Sequence, residues 1–148
     1  MDRTQANTGT RQVSEAVRID VGALEHWLYE HVPSHDGGLS VRQFKGRQSN
    51  PTYLLTTPRT QFDLRRKPPG KSLPAPHAVE REYRVLAALG AQGFPVPKVH
   101  GLCEDDSVIG TAFYVMDMVP GRVVWEAHFP DMSNEVRAAH FDGMNATI

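Results

Sequence analysis

The chain has 148 residues, 40% of them hydrophobic and 22% charged, with a formal net charge of -1. That size allows one domain burying roughly 68 to 70% of its unfolded surface, and the near-neutral balance lacks the basic excess of a protein held on nucleic acid. Its one cysteine, Cys103, excludes an intramolecular disulfide or a cysteine-based zinc site, and the absence of a ~20-residue apolar run or a signal-peptide core points to a cytoplasmic protein.

Residues 1–15 are polar without apolar periodicity and predict a disordered tail. In DVGALEHWLYEHVP, Asp20 is placed to cap a helix whose Leu24, Trp27, Leu28 and Val32 share one face, with Pro33 as its stop. Three strand-like runs follow: LSVRQF from Leu39, PTYLLTT from Pro51 and QFDLRR from Gln61, joined by short polar segments as in an antiparallel meander. KPPGKSLPAP is a loop, because its prolines remove backbone donors. HAVEREYRVLAALGAQG reads as a helix with Val79, Tyr83, Leu86 and Leu89 on one side and Gly90 as its cap. Lys98 to Leu102 and Thr111 to Val119 are strand-like, separated by a turn at DSVIG, and Pro120-Gly121 ends the second. Ser133 caps a last helix, NEVRAAHFDGMNATI, which is still in register at the final residue. Helix, three strands, helix, two strands, helix argues for an α+β fold, since a parallel sheet needs a crossover after nearly every strand.

Four stretches bear on chemistry. The loop from Gly46 to Asn50 joins two strands, so its backbone amides can face a ligand lying across the hairpin, or it is an ordinary turn. Strand alternation sends Arg65 and Lys67 to one face and Leu64 and Arg66 to the other. Glu82, on the following helix, can pair with an inward arginine or stay within its own solvated helix surface. Met116 and Met118 offer polarizable surface at the end of a strand freed by the Pro-Gly turn, where a flat ring or simply a core edge would fit. The histidines show no metal spacing, Asp105 and Asp106 suit an Asx turn, and no GxSxG, HExxH or Walker lysine motif is present.

QSNPTYLL, LRRKPPG, HAVEREYRVLAALG, FPVPKVHGLCED and SVIGTAFYVMDMVPGR, in that order, resemble the N-terminal lobe of the aminoglycoside phosphotransferase family, a branch of the protein-kinase-like fold. The resemblance spans about residues 20 to 148 and is nearest to phosphotransferase-like domains related to the N-terminal part of certain acyl-CoA dehydrogenase family members. It implies a five-stranded antiparallel sheet with one packed helix, closing over ATP, in a lobe from 16 to 122 followed by the start of a second lobe. Gly46, Arg47, Gln48, Ser49 and Asn50 would form the nucleotide-covering loop, with Arg47 standing where relatives commonly have a second glycine. Arg65 would be the phosphate-binding cation and Glu82 its ion-pair partner. Met116 would flank the adenine, and the carbonyl of Asp117 and amide of Val119 would bind its edge.

The same resemblance places the catalytic aspartate, in a His-Gly-Asp motif, and the magnesium ligand in a second lobe. Neither segment occurs in these 148 residues. No catalytic or metal-binding residue is therefore assigned, and the chain alone is expected to be inactive. The implied partners are a nucleotide and a small-molecule hydroxyl substrate, with neither nucleic acid nor membrane, and association through exposed inter-lobe surface. An aminoglycoside, a sugar, choline or a lipid-related hydroxyl compound are all open as substrate. A non-catalytic kinase-like binding module is the alternative function.

Overall fold

A computed structural model describes residues 7–46, 50–68, 70, 78–124 and 126–148. Among them one antiparallel sheet contains β1 (Thr10–Arg11), β2 (Ser40–Phe44), β3 (Thr52–Thr56), β4 (Gln61–Arg66), β5 (Val99–Cys103) and β6 (Phe113–Asp117). Their order is β1-β2-β3-β4-β6-β5. The sheet thus has six strands rather than the five expected. The extra one comes from the segment expected to be disordered, where Thr10 pairs with Phe44 and Arg11 with Gln43. Backbone and polar contacts hold it, with Arg42 Nε donating to Thr10 Oγ1 at 2.8 Å and the Lys45 amide to Gly9 O at 2.9 Å. No apolar pattern announces a strand held in this way.

Among the described residues four α-helices accompany the sheet: α1 (Val21–His31), α2 (Ala78–Ala91), α3 (Asp106–Ile109) and α4 (Asn134–Thr147). α1 begins where the Asp20 carboxylate accepts the Ala23 amide at 3.0 Å, satisfying a donor that a helix N-terminus otherwise leaves open. It sets Leu24, Trp27 and Leu28 onto one face of the sheet, against Tyr53, Leu55, Phe62, Leu64, Phe113 and Val115. Trp27 meets Phe113 edge-on, with ring centroids 4.9 Å apart. This is the main core.

α2 lies on the opposite face over β5 and β6, where Val79, Tyr83 and Leu86 cover Leu102, Tyr114 and Met116. Gly90 does not cap it. The cap is Gly93, at φ +77°, whose amide bonds Gly90 O while the Phe94 amide reaches Leu89 O, both at 3.0 Å. A left-handed residue with this pair of bonds closes a Schellman motif, so the helix runs past the first glycine to the one that can take positive φ. The DSVIG turn is the short helix α3, with the Asp105 side chain accepting the Ser107 amide at 2.8 Å. Ser133 caps α4 as expected, its hydroxyl accepting the Val136 amide. Because α2 covers only the β5–β6 side, the same face of β3 and β4 remains available to bound a cleft.

Candidate functional site

β4 decides the site, because its side chains alternate. Phe62, Leu64 and Arg66 are buried on the α1 side, while Asp63, Arg65 and, just past the strand, Lys67 face the α2 side. Arg65 Nε lies 3.1 Å from Glu82 Oε2, and the Tyr114 hydroxyl donates to the same oxygen at 3.2 Å. Burial, and then the charge of Glu82, pushes the Tyr114 phenol up to about 12, so it remains a donor at neutral pH. Lys67 pairs with Glu80, a buried carboxylate near the start of α2. Two ion pairs therefore tie the end of β4 to α2.

Arg66 takes the opposite course. It is 1% exposed, and its Nη1 donates to Ile109 O at 3.1 Å while Nη2 donates to Val17 O at 2.9 Å. Its guanidinium carbon stands 5.4 Å from the centre of the Tyr53 ring, and Tyr53 also donates to Val17 O, at 3.0 Å. Arg66 thus fastens the single helical turn Glu15–Val17 and the end of α3 to the sheet. Its role is structural.

The Arg65 face bounds a cleft of about 800 Å³. Met116, Met118 and Val119 form one wall, Gly9, Phe44 and Lys45 another, and parts of the segments 120–124 and 126–132 close over it around Phe129. Phe129 holds φ +51°, an uncommon conformation for an aromatic residue, and packs on Phe141 and His140 of α4. A smaller pocket of about 310 Å³ adjoins at Arg65, between Glu82, Val85, Leu86 and Tyr114. Both volumes lie in the range of small-molecule sites, roughly 300 to 1,000 Å³.

The structure brings together some of the residues expected from sequence. Arg65, Met116 and Val119 line the cleft, and Glu82 lines the adjoining pocket. Gly46 has φ +108°, a left-handed conformation that favours glycine, and Asn50 is buried at the far end of the same loop. Arg47, Gln48 and Ser49 lie outside the described residues. The Asp117 carboxylate turns to His100 Nε2 at 2.5 Å, and its amide bonds Lys98 O at 2.8 Å. Its amide and side chain brace the strand end, and only the carbonyl role proposed for it concerns the cleft.

Three parts of the cleft escaped the sequence reading. Asp63 sits on the same face as Arg65, and the alternation that placed one placed the other. Burial pushes its carboxyl up to about 6, and its Oδ1 has no hydrogen-bond partner. Asn7, Thr8 and Gly9, from the supposed tail, line the rim, as do Arg122, Phe129 and Met132 beyond the Pro-Gly turn. Among the described residues no helix is long and apolar enough to cross a membrane.

Residues 40–144 match the phosphotransferase enzyme family. The chain belongs to this family. A Ralstonia eutropha crystal structure, provisionally assigned as an aminoglycoside phosphotransferase, is 50% identical with a TM-score of 0.71, over 86% of this chain and 36% of that one. Acyl-CoA dehydrogenase family member 10 of Mus musculus is 41% identical over 140 residues, 94% of this chain and 13% of that protein. Family member 11 of Gallus gallus is 44% identical over 135 residues, 88% of this chain and 17% of that protein. The phosphotransferase domain described here therefore spans a small part of these larger relatives. It has the α+β architecture of a phosphotransferase N-terminal lobe, with a kinase-like fold.

Proposed function

We propose that this domain is the nucleotide-binding lobe of an ATP-dependent phosphotransferase acting on a small-molecule hydroxyl group. The observation that carries the reading is Arg65, a cation on the cleft wall held from behind by Glu82, itself held by the Tyr114 hydroxyl. A guanidinium has five N–H donors in a rigid fork, so one edge can engage a carboxylate while others meet a phosphate oxygen. Preorganising that charge places the polyphosphate at the Arg65 end, and Met116, Met118 and Val119 supply apolar surface for a flat ring.

ATP supplies the transferable phosphoryl group; Arg65 and its partners bind and orient it. Transfer also needs an aligned acceptor and neutralisation of the phosphate charge. The proposal gives magnesium no ligand among the described residues. It likewise assigns no catalytic aspartate, and this chain alone binds nucleotide without turnover. A second reading, a non-catalytic binding module, draws on Val123, Val124, Phe141 and Met144, all left 43 to 59% exposed.

Calorimetric titration with ATP and magnesium tests the first reading. Wild type binds, and Arg65→Ala lowers the affinity at least tenfold with an unchanged far-ultraviolet circular dichroism spectrum. No ATP binding, or binding indifferent to Arg65→Ala, refutes the site and leaves the binding module.

A further inference from the structure

Resting on the nucleotide reading above, we infer that Asp63 is a specificity-determining residue, which selects bases that present an amino N–H donor to the floor of the cleft. The register isolates its side chain. Asp63 lies opposite Leu54 on β3 and Met116 on β6, so both cross-strand neighbours are apolar. Arg65, two residues along the same face, is engaged with Glu82. Asp63 Oδ1 is buried without a hydrogen-bond partner, although the residue lines a cleft large enough for a ligand. Native structures pair nearly all such atoms, with protein, water or ligand, and this one belongs to a residue of the cleft lining, where a bound molecule can supply the partner.

Charge fixes which end of a nucleotide that partner is. A carboxylate repels phosphate, so the polyphosphate belongs at Arg65. Two residues of strand, about 6.6 Å, separate that end from Asp63, which places the carboxyl toward the ring. A carboxylate only accepts hydrogen bonds, so it matches an exocyclic amino group and opposes a ring that turns only lone pairs toward it. Burial already favours the protonated acid relative to an exposed aspartate. An N–H donor from the base satisfies the ionised carboxylate without protonation.

The test compares ATP with purine riboside triphosphate, which lacks the 6-amino group and is otherwise the same size. Calorimetry is run on wild type, Asp63→Asn and Asp63→Val, with circular dichroism confirming the fold of each. Wild type prefers ATP by about tenfold or more, the scale of a hydrogen bond to a charged group. Asp63→Asn, which keeps an acceptor oxygen, retains part of the preference. Asp63→Val narrows the preference further, to no more than the Asp117 carbonyl alone would give the 6-amino group. A wild-type ratio near one, or a ratio unchanged in Asp63→Val while both nucleotides still bind, overturns the role of Asp63 alone. Failure of wild type to bind either nucleotide overturns the lobe reading and the inference with it.

Discussion

Arg65 and Arg66 are neighbours in sequence on opposite faces of β4, so their replacement by alanine has opposite consequences. Arg66 is 1% exposed and donates to two carbonyls, those of Val17 and Ile109. Hydrogen bonds from a charged donor contribute about 1.5 to 3 kcal/mol each. Loss of both is offset in part because the buried cation no longer has to be desolvated, and Val17 O keeps its bond from Tyr53. The net cost is about 3 kcal/mol, which lowers the melting temperature by roughly 6 to 12 °C at 2 to 4 °C per kcal/mol. Arg65 and Glu82 have side chains 31% and 35% exposed, so solvent screening limits their pair to about 0.5 to 1 kcal/mol. Arg65→Ala therefore melts only about 1 to 4 °C lower while losing ATP affinity. Thermal melts and calorimetric titrations on the same preparations measure both quantities. Equal melting losses, or an Arg66→Ala protein that folds normally yet binds ATP poorly, would refute the assignment of faces.

Asp63→Asn should stabilise the fold at neutral pH. The folded carboxyl titrates at about 6 against an ordinary 3.8, so the folded state holds the proton more tightly and stability falls as pH rises between those values. The full shift corresponds to about 3 kcal/mol; partial solvent exposure reduces the expected gain to about 1 kcal/mol above pH 6, with little gain below pH 4. Melting curves at pH 3.5 and 7.5 check this, and an equal gain at both would contradict it. Lys67→Met removes the cation paired with the buried Glu80 carboxylate and should cost about 1 to 2 kcal/mol in urea denaturation; a cost under about 0.5 kcal/mol would show the pair to be incidental. Gly101→Ala would put a Cβ 2.9 Å from Trp27 Cη2, so it should destabilise by about 1 to 3 kcal/mol and shift the tryptophan fluorescence. Gly90→Ala meets only Val96 Cγ2 at 3.7 Å in an exposed helix and should stabilise by about 0.5 to 1 kcal/mol; the opposite order of these two glycines would defeat the packing argument.

Side-chain chemistry that repeats at a fixed period made much of the fold legible. Asp20 and Ser133 cap helices because a short polar acceptor there meets free amides. Phe62 and Leu64 declare the core face of β4 and so put Arg65 on the other face, where the structure pairs it with Glu82. Features made by backbone alone left no such trace. β1 has two residues and no apolar pattern, and it exists because β2 offers an open edge. Gly90 and Gly93 are equivalent as letters, and only the observed φ separates the helical one from the cap. The closing of the chain around Phe129 depends on a left-handed turn that no neighbouring residue type signals.

Asp63 is the instructive omission, since its position was legible and its state was not. Alternation alone puts it beside Arg65, but its chemistry depends on Leu54 and Met116 across the ladder. Two apolar neighbours from non-adjacent segments turn an ordinary strand aspartate into a half-buried one with an unpaired Oδ1. Arg66 shows the converse effect. Its partners Val17 and Ile109 are carbonyls whose residue types carry no charge, so no residue letter names what this cation holds, the N-terminal segment that it clamps to β4. That clamp and the backbone bond from Lys45 to Gly9 together bring residues 7–9 to the rim of the cleft. The same strand therefore supports the cleft from its core face and supplies polar groups to it from the other.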